Sequence, residues 1–345
     1  LSDAPATEPE FHVFESASCR EDQAAARARA RAFEQELRGN PAAARRERRA
    51  GLRLALEWLA LLAVSLGLIY GPLPFLWKAL LLVPWSLYAA LAFDNITHYA
   101  NHWPLFGVRA LDALWRWSGA LVFYHPLEIR AIHNDHHRAY ARADNDEKIF
   151  GARERGKSFA LYLVQGALGG LRALVPWRAM DPSVANLRAK RPEQHREIVL
   201  QRWTSTLLFA ALAWLAPLET LALYVPSILL VGSLGSLVMN LTDHIPGDAQ
   251  HPFRLATYLQ PSTRAERFYD AVNHHTAATH LSHHLYPNVH WVHLPALQAR
   301  LAPTYARQGA PRSRLLNSTL IGNPLAFARL LLELRQLRFA STDPR

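Results

Sequence analysis

Cysteine is nearly missing from this chain: 345 residues hold one, Cys19. No disulfide can close within it, and a single sulfur cannot build a thiolate metal site or an iron–sulfur cluster. Several catalytic signatures are missing as well. There is no H-E-x-x-H of the hydrolytic zinc sites and no Glu-x-x-His pair of the carboxylate-bridged metal bundles. A serine nucleophile elbow, a phosphate-cradling glycine loop, a dinucleotide fingerprint and a His-Pro-Gly-Gly haem motif are equally absent. The first fifty residues lack the apolar core of a secretory leader, so none is expected. These gaps argue against the common hydrolases, ATP-driven enzymes and nicotinamide enzymes. They also leave no fused electron carrier in the sequence.

Acids are the scarcer charge: 28 against 38 Lys and Arg, for a net charge of +10 and a pI near 10.0. The mean hydropathy of -0.06 averages an Arg-rich population with a strongly apolar one. Arg gathers in "RARARAFEQELRGNPAAARRERRAGLR" (27–53), directly ahead of the first apolar run. Cations there fit the positive-inside rule and anionic lipid better than nucleic acid, which is not an expected partner. The stretch from about Glu21 to Glu36 reads as a surface helix.

Long apolar runs are what the chain does have. "LRLALEWLALLAVSLGLIYG" (52–71) matches the roughly 20 residues that cross a bilayer. Its one acid, Glu57, reads as a local ion pair with Arg53 or a snorkelling side chain near the start of the span. "FLWKALLLVPWSLYAALAF" (75–93) returns, kinked at Pro84, with Lys78 snorkelling at the outer surface. Continued to His102, that helix measures about 42 Å against a hydrocarbon core of about 30 Å, so His98 and His102 project beyond the membrane. A third run, 203–241, carries Pro217 and Glu219 near its middle and reads as two helices with a turn near 216–219. Between the two pairs, stretches mixing Trp and Arg with aliphatics read as interfacial helices.

The expected architecture is therefore an all-α integral-membrane fold. Four transmembrane helices, at about 52–71, 75–94, 203–216 and 219–241, form two hairpins beneath a cytosolic helical cap. A polar Arg-rich segment (1–51) precedes the membrane domain (52–300), and a C-terminal segment (301–345) follows it. The Arg-rich N-segment and "LRAKRPEQHREIVLQR" (187–202) mark the cytosolic side, where both termini are expected. High Ala, Arg and Leu usage suggests a GC-rich bacterial genome, so a bacterial inner membrane is the expected location.

Histidine carries the chemistry. "HNDHH" (133–137) and "HLSHH" (280–284) write His-x-x-His-His twice. Positions i, i+3 and i+4 share one helix face, so His133, His136 and His137 converge, as do His280, His283 and His284. "HYANH" sets His98 and His102 one turn apart, and "NLTDH" does the same for Asn240 and His244. Nine imidazoles exceed the roughly four ligands of a single zinc and suit two metals with room for water or oxygen. Spacing alone leaves open which imidazole-binding metal is held. Asp94, Asp135, Asp243, His274 and His275 are candidates to fix the far ring nitrogens of the ligands. His125, His251, His290 and His293 read as structural.

This order of boxes resembles the membrane fatty-acid desaturase superfamily, from about Leu52 to Pro295. "HHLYPNVHWVHLPAL" (283–297) is similar to the family's HHLxP…W…LP ending. The Asn-x3-His element resembles the acyl-CoA desaturase branch, which implies His244 as a ninth ligand and Asn240 as a ligand through water. The chain departs from that branch in three places. Its first box is one residue shorter than many, Ala278 stands where Asn is frequent, and His290 stands where Pro is frequent.

The resemblance implies a non-haem di-iron centre of two iron ions, O2 as co-substrate and hydrogen abstraction from a fatty acyl chain. Desaturation is the leading outcome. Membrane-bound 1-alkene synthases share the scaffold, so oxidative decarboxylation of free fatty acids is a rival, and hydroxylation a third. The competing class is a membrane metal-binding or transport protein. That class calls for polar residues deep in the spans, whereas these histidines lie outside the apolar runs. The substrate is a fatty acid or fatty acyl thioester, with Arg130, Arg138, Arg142, Lys148, Arg254, Arg264 and Arg267 as head-group candidates. Electrons come from a separate ferredoxin- or cytochrome-type donor, an acidic one suiting the basic face.

Overall fold

Long apolar runs wind into helices because a helix satisfies every backbone polar group within its own segment, as hydrocarbon demands. In the computed structural model, residues 17–122, 126–139, 182–228, 252–254 and 256–312 are described. In chain order the helices are α1 (Ala17–Leu37), α2 (Pro41–Tyr70), α3 (Phe75–His102), α4 (Arg109–Ser118), α5 (Pro126–Ala139), α6 (Pro182–Lys190) and α7 (Pro192–Leu215). Next comes α8 (217–228), which contains a π turn at Thr220–Tyr224. They are followed by α9 (Arg264–Val272), α10 (Thr276–Leu285) and α11 (Leu294–Arg307). The described residues contain no strand, only one isolated bridge between Tyr258 and Arg312.

Local chemistry sets the boundaries. Asn40 caps α2 by accepting from the Ala42 amide at 2.9 Å, and Pro41 occupies the first turn, where its missing N–H is no loss. Thr263 and Glu266 close a capping box at the start of α9. The 28 residues of α3 run unbroken through Pro84 and end at His102, where Trp103 turns extended.

Among the described residues, α2, α3 and α7 are long and apolar enough to cross a membrane. Their outward side chains form a belt: Trp77 is 57% exposed, Leu207 64% and Trp214 86%. Soluble proteins do not carry such a belt, and it fits a membrane protein. The expected span at 219–241 begins in α8, and its second half lies outside the described residues.

Inside the belt, Trp58 meets Phe93 and Trp115 edge to face at 4.8 and 5.2 Å and donates its indole N–H to Ser118 Oγ at 2.8 Å. Polar pairs stitch α8 to the first hairpin: Tyr70 with Thr220 at 3.1 Å and Ser86 with Ser227 at 2.8 Å.

Several details differ from the sequence reading. Lys78 does not snorkel; its side chain is 6% exposed and pairs with Glu219 at 3.6 Å, because the return into α8 brings that carboxylate alongside. Glu57 feels Arg53 only as a nearby charge, and its hydrogen bonds run to Tyr88 and His274. The third spanning helix starts at Pro192 rather than near 203, since its polar first turns are helical too. Residues 51 and 300 lie inside α2 and α11. The N-terminal helix begins at Ala17 and is joined to α11 by Arg300–Glu36 and Arg307–Asp22 pairs over a shared core of Ala26, Ala30, Phe33, Leu297 and Leu301.

Candidate metal centre

Three helix ends meet at one point. The last turn of α3 brings His98 and His102, α5 brings His133 and His137, and α10 brings His280, His283 and His284. Ligand atoms of His98, His102, His133 and His283 all lie within 4.8 Å of one another. The Nε2 atom of His133 is 2.9 Å from that of His102 and 3.0 Å from that of His137. His137 Nε2 is in turn 3.0 Å from His283 Nε2, and His280 and His284 close a second pair at 2.9 Å. The His137 and His284 rings, 4.8 Å apart, link the two groups.

These spacings have a physical meaning. Two nitrogens bound to one metal at about 2.1 Å, at right angles, lie about 3.0 Å apart. Without a metal, such Nε2 pairs would meet as N–H···N hydrogen bonds, one ring donating and the other accepting. His98 Nε2 is buried with no hydrogen-bond partner among the described residues, a donor atom awaiting an acceptor of electrons. Burial, then repulsion from the neighbouring histidines, drives His283 well below the usual imidazole range, so its ring is neutral and its lone pair is available. The donor set fits a metal that prefers nitrogen.

Around this cluster, Trp103 lies 5.1 Å from His102 and 4.9 Å from His290, ring to ring. Burial and then the nearby His293 push His290 down to about 3, so it too is neutral. Its Nδ1 accepts from the Val292 amide at 3.3 Å, while His293 Nε2 sits 3.1 Å from Glu47. Tyr99, next to His98, stacks on Trp291 at 4.6 Å.

The other expected residues divide into four groups. Asn240, Asp243, His244, Arg142 and Lys148 lie outside the described residues, as do the side chains of Asp135, His136 and Arg138 on α5. Asp94 stands one turn before His98, and Arg130 is half-buried on α5. Arg254, Arg264 and Arg267 are exposed; Arg254 donates to the Gln308 carbonyl and Arg267 to that of Ser262. His274 and His275, expected to fix ligand rings, place their own rings on Glu57 at 2.9 Å and Asp270 at 2.6 Å.

Sequence reasoning gave Glu57 only a local role and passed over Tyr88, Tyr99 and Trp103. Only the last two had a local signal, each standing beside a box histidine in "HYANHW".

A family model described as Fatty acid desaturase matches residues 72–315. No curated protein and no solved structure matches the chain.

Proposed function

Since the chain belongs to the fatty acid desaturase family, and is thus an oxidoreductase of desaturase type, we propose that it is a di-iron enzyme that uses O2 to desaturate a fatty acyl chain. The observation that carries this reading is the meeting of four imidazole donors from three separate helices within 4.8 Å. In our reading, His98, His102, His133 and His283 hold one metal. His137, whose Nε2 lies 3.0 Å from those of both His133 and His283, joins that first set, and His136, His280 and His284 serve the second metal, with His244 and, through water, Asn240. Asp94, Asp135 and Asp243 are assigned to steadying ligand rings.

When bound, a redox-active metal pair supplies the oxidising power to break an unactivated C–H bond, which no acid or base in the chain can do. The protein's own part is binding, orientation and exclusion. Neutral buried imidazoles donate lone pairs without adding positive charge. Trp103 leans on His102 and limits the positions its ring can take. The apolar flanks of α2, α3 and α7 match an acyl chain, and Arg130, Arg138, Arg142, Lys148, Arg254, Arg264 and Arg267 are the pool from which a carboxylate or thioester head group draws its cation. Four spans with the centre and both termini cytosolic place the basic segments towards anionic lipid and an acidic ferredoxin- or cytochrome-type donor.

The test is a purified, detergent-solubilised chain given O2, a reducing system and a panel of free fatty acids and thioesters, with products read by mass spectrometry beside a metal count. An internal alkene with about two irons per chain supports the reading. A 1-alkene one carbon shorter than a free acid would replace desaturation with oxidative decarboxylation on the same ligands. A hydroxylated chain would replace it with oxygen insertion. Stoichiometric zinc without product would overturn the oxidoreductase. His283→Ala is expected to lose metal and at least ~100-fold in turnover, more than the usual cost of losing a ligand's supporting partner.

A further inference from the structure

Glu57 is a carboxylate within a helix of membrane-spanning character, and it is fully engaged. One oxygen accepts the Tyr88 hydroxyl at 2.7 Å, and the other lies 2.9 Å from His274 Nε2, across 217 residues of sequence. The His274 side chain is 4% exposed, and its Nδ1 has no hydrogen-bond partner among the described residues. Nε2 is the ring nitrogen that faces the carboxylate, and a carboxylate only accepts, so the ring donates its Nε2–H to Glu57.

The backbone around His274 is unusual in its own right. His274 and His275 have φ of 51° and 62°, the left-handed region that non-glycine residues avoid. Such a conformation persists only where its surroundings hold it. Here the Tyr99 hydroxyl donates to the His274 carbonyl at 2.7 Å, Thr276 Oγ1 donates to Tyr99 at 3.0 Å, and Asn95 bonds to Asn273. The turn is thus fastened to α3 through its backbone and to α2 through the His274 ring. Directly after it begins α10, only 10 residues long, with three of the box histidines. A slip of one residue at this turn would rotate all three by about 100°.

We propose that Glu57 is a positioning residue for the histidine centre: by holding the His274 ring, it fixes where α10 starts and so where His280, His283 and His284 point. The proposal rests on the metal-centre reading above. It assigns His274 a tether to α2 in place of direct support for a ligand ring.

The test is titration of the metal-stripped, detergent-solubilised full chain with cobalt(II), reading affinity and the visible ligand-field bands. Size exclusion and thermal unfolding run alongside as checks on folding. Glu57→Gln keeps an acceptor for Nε2–H and is expected to match the unaltered chain in both readouts. Glu57→Leu and His274→Gly are expected to stay folded, yet to bind cobalt about 10–100-fold more weakly with shifted bands. His274→Gly is the decisive variant, because glycine adopts this φ freely and the turn survives loss of the ring. Unchanged affinity and bands in that variant would overturn the proposal. So would its failure to fold, which would assign the ring to stability alone. No cobalt uptake by the unaltered chain would overturn the metal centre itself, a failure seen before any variant is made.

Discussion

A buried imidazole is useful to a metal only while it is neutral, and burial enforces this at His283 and His290. His275 shows the opposite case. Its hydrogen bond to Asp270 is the chief influence on the ring and outweighs partial burial, which raises its affinity for a proton above the ordinary value of 6.5. A raised folded value means that the protonated ring favours the fold. The stabilisation is complete below about pH 6.5 and disappears as pH rises through the folded value. With 47% of that side chain exposed, the effect is modest. His275→Asn keeps a residue that tolerates positive φ. Its thermal midpoint in detergent is expected to fall below that of the unaltered chain most at pH 5–6, with the gap closing towards pH 9. A gap constant across that range would count against the pair. Individual ligand positions were legible because helical periodicity is local. The Glu57–His274 contact was not, because no local pattern links residues 217 positions apart.

Among elements, the close approach of α2 to the loop after His102 matters most. A Cβ added to Gly51 would lie 2.5 Å from the Leu105 carbonyl oxygen. Alanine gains up to about 1 kcal/mol in helix propensity over glycine, whereas overpacking against fixed backbone costs about 1–3 kcal/mol. The second effect is larger. Gly51→Ala is therefore expected to lower the thermal midpoint and, because Leu105 stands three residues beyond His102, to reduce the metal count as well; an unchanged midpoint would show that the loop yields freely. The extent of α3 to His102 could be read from its apolar run and the box at its end. The start of α7 at Pro192 could not, since hydropathy marks where a helix enters lipid and says nothing of polar turns before it. The docking of α1 was equally hidden: its buried stripe is only Cys19, Ala26, Ala30 and Phe33, half of it alanine and too faint to name a partner.

For the molecule as a whole, Lys78 and Glu219 tie the first hairpin to α8 in a setting where a lone charge is costly. Removing one partner of a fully buried pair costs about 3–5 kcal/mol, and the 30% exposure of Glu219 reduces that to about 1–3 kcal/mol. Lys78→Met alone is expected to lower the midpoint by about 2–8 °C. Lys78→Met combined with Glu219→Gln should recover most of the loss, because the stranded charge is gone. Equal losses in the single and double variants would mean that the pair is not a pair. The helical, membrane-type body and its family follow from apolar runs and histidine repeats, each of which is local in the sequence. How the halves lock together depends on single polar residues scattered among aliphatics, which periodicity does not report.

The one thiol has a practical consequence. Cys19 is 2% exposed on α1, within the core shared with α11. No other cysteine competes for a maleimide, so its labelling rate is a clock for the opening of that seam alone. Arg307→Ala cuts the surface link to Asp22 and should quicken the clock by several-fold at most, since an exposed pair contributes only about 0–1 kcal/mol. Phe33→Ala, which hollows the seam, should quicken it far more. The molecule thus carries a gauge for whether its amino-terminal latch stays shut while the histidines fill with metal.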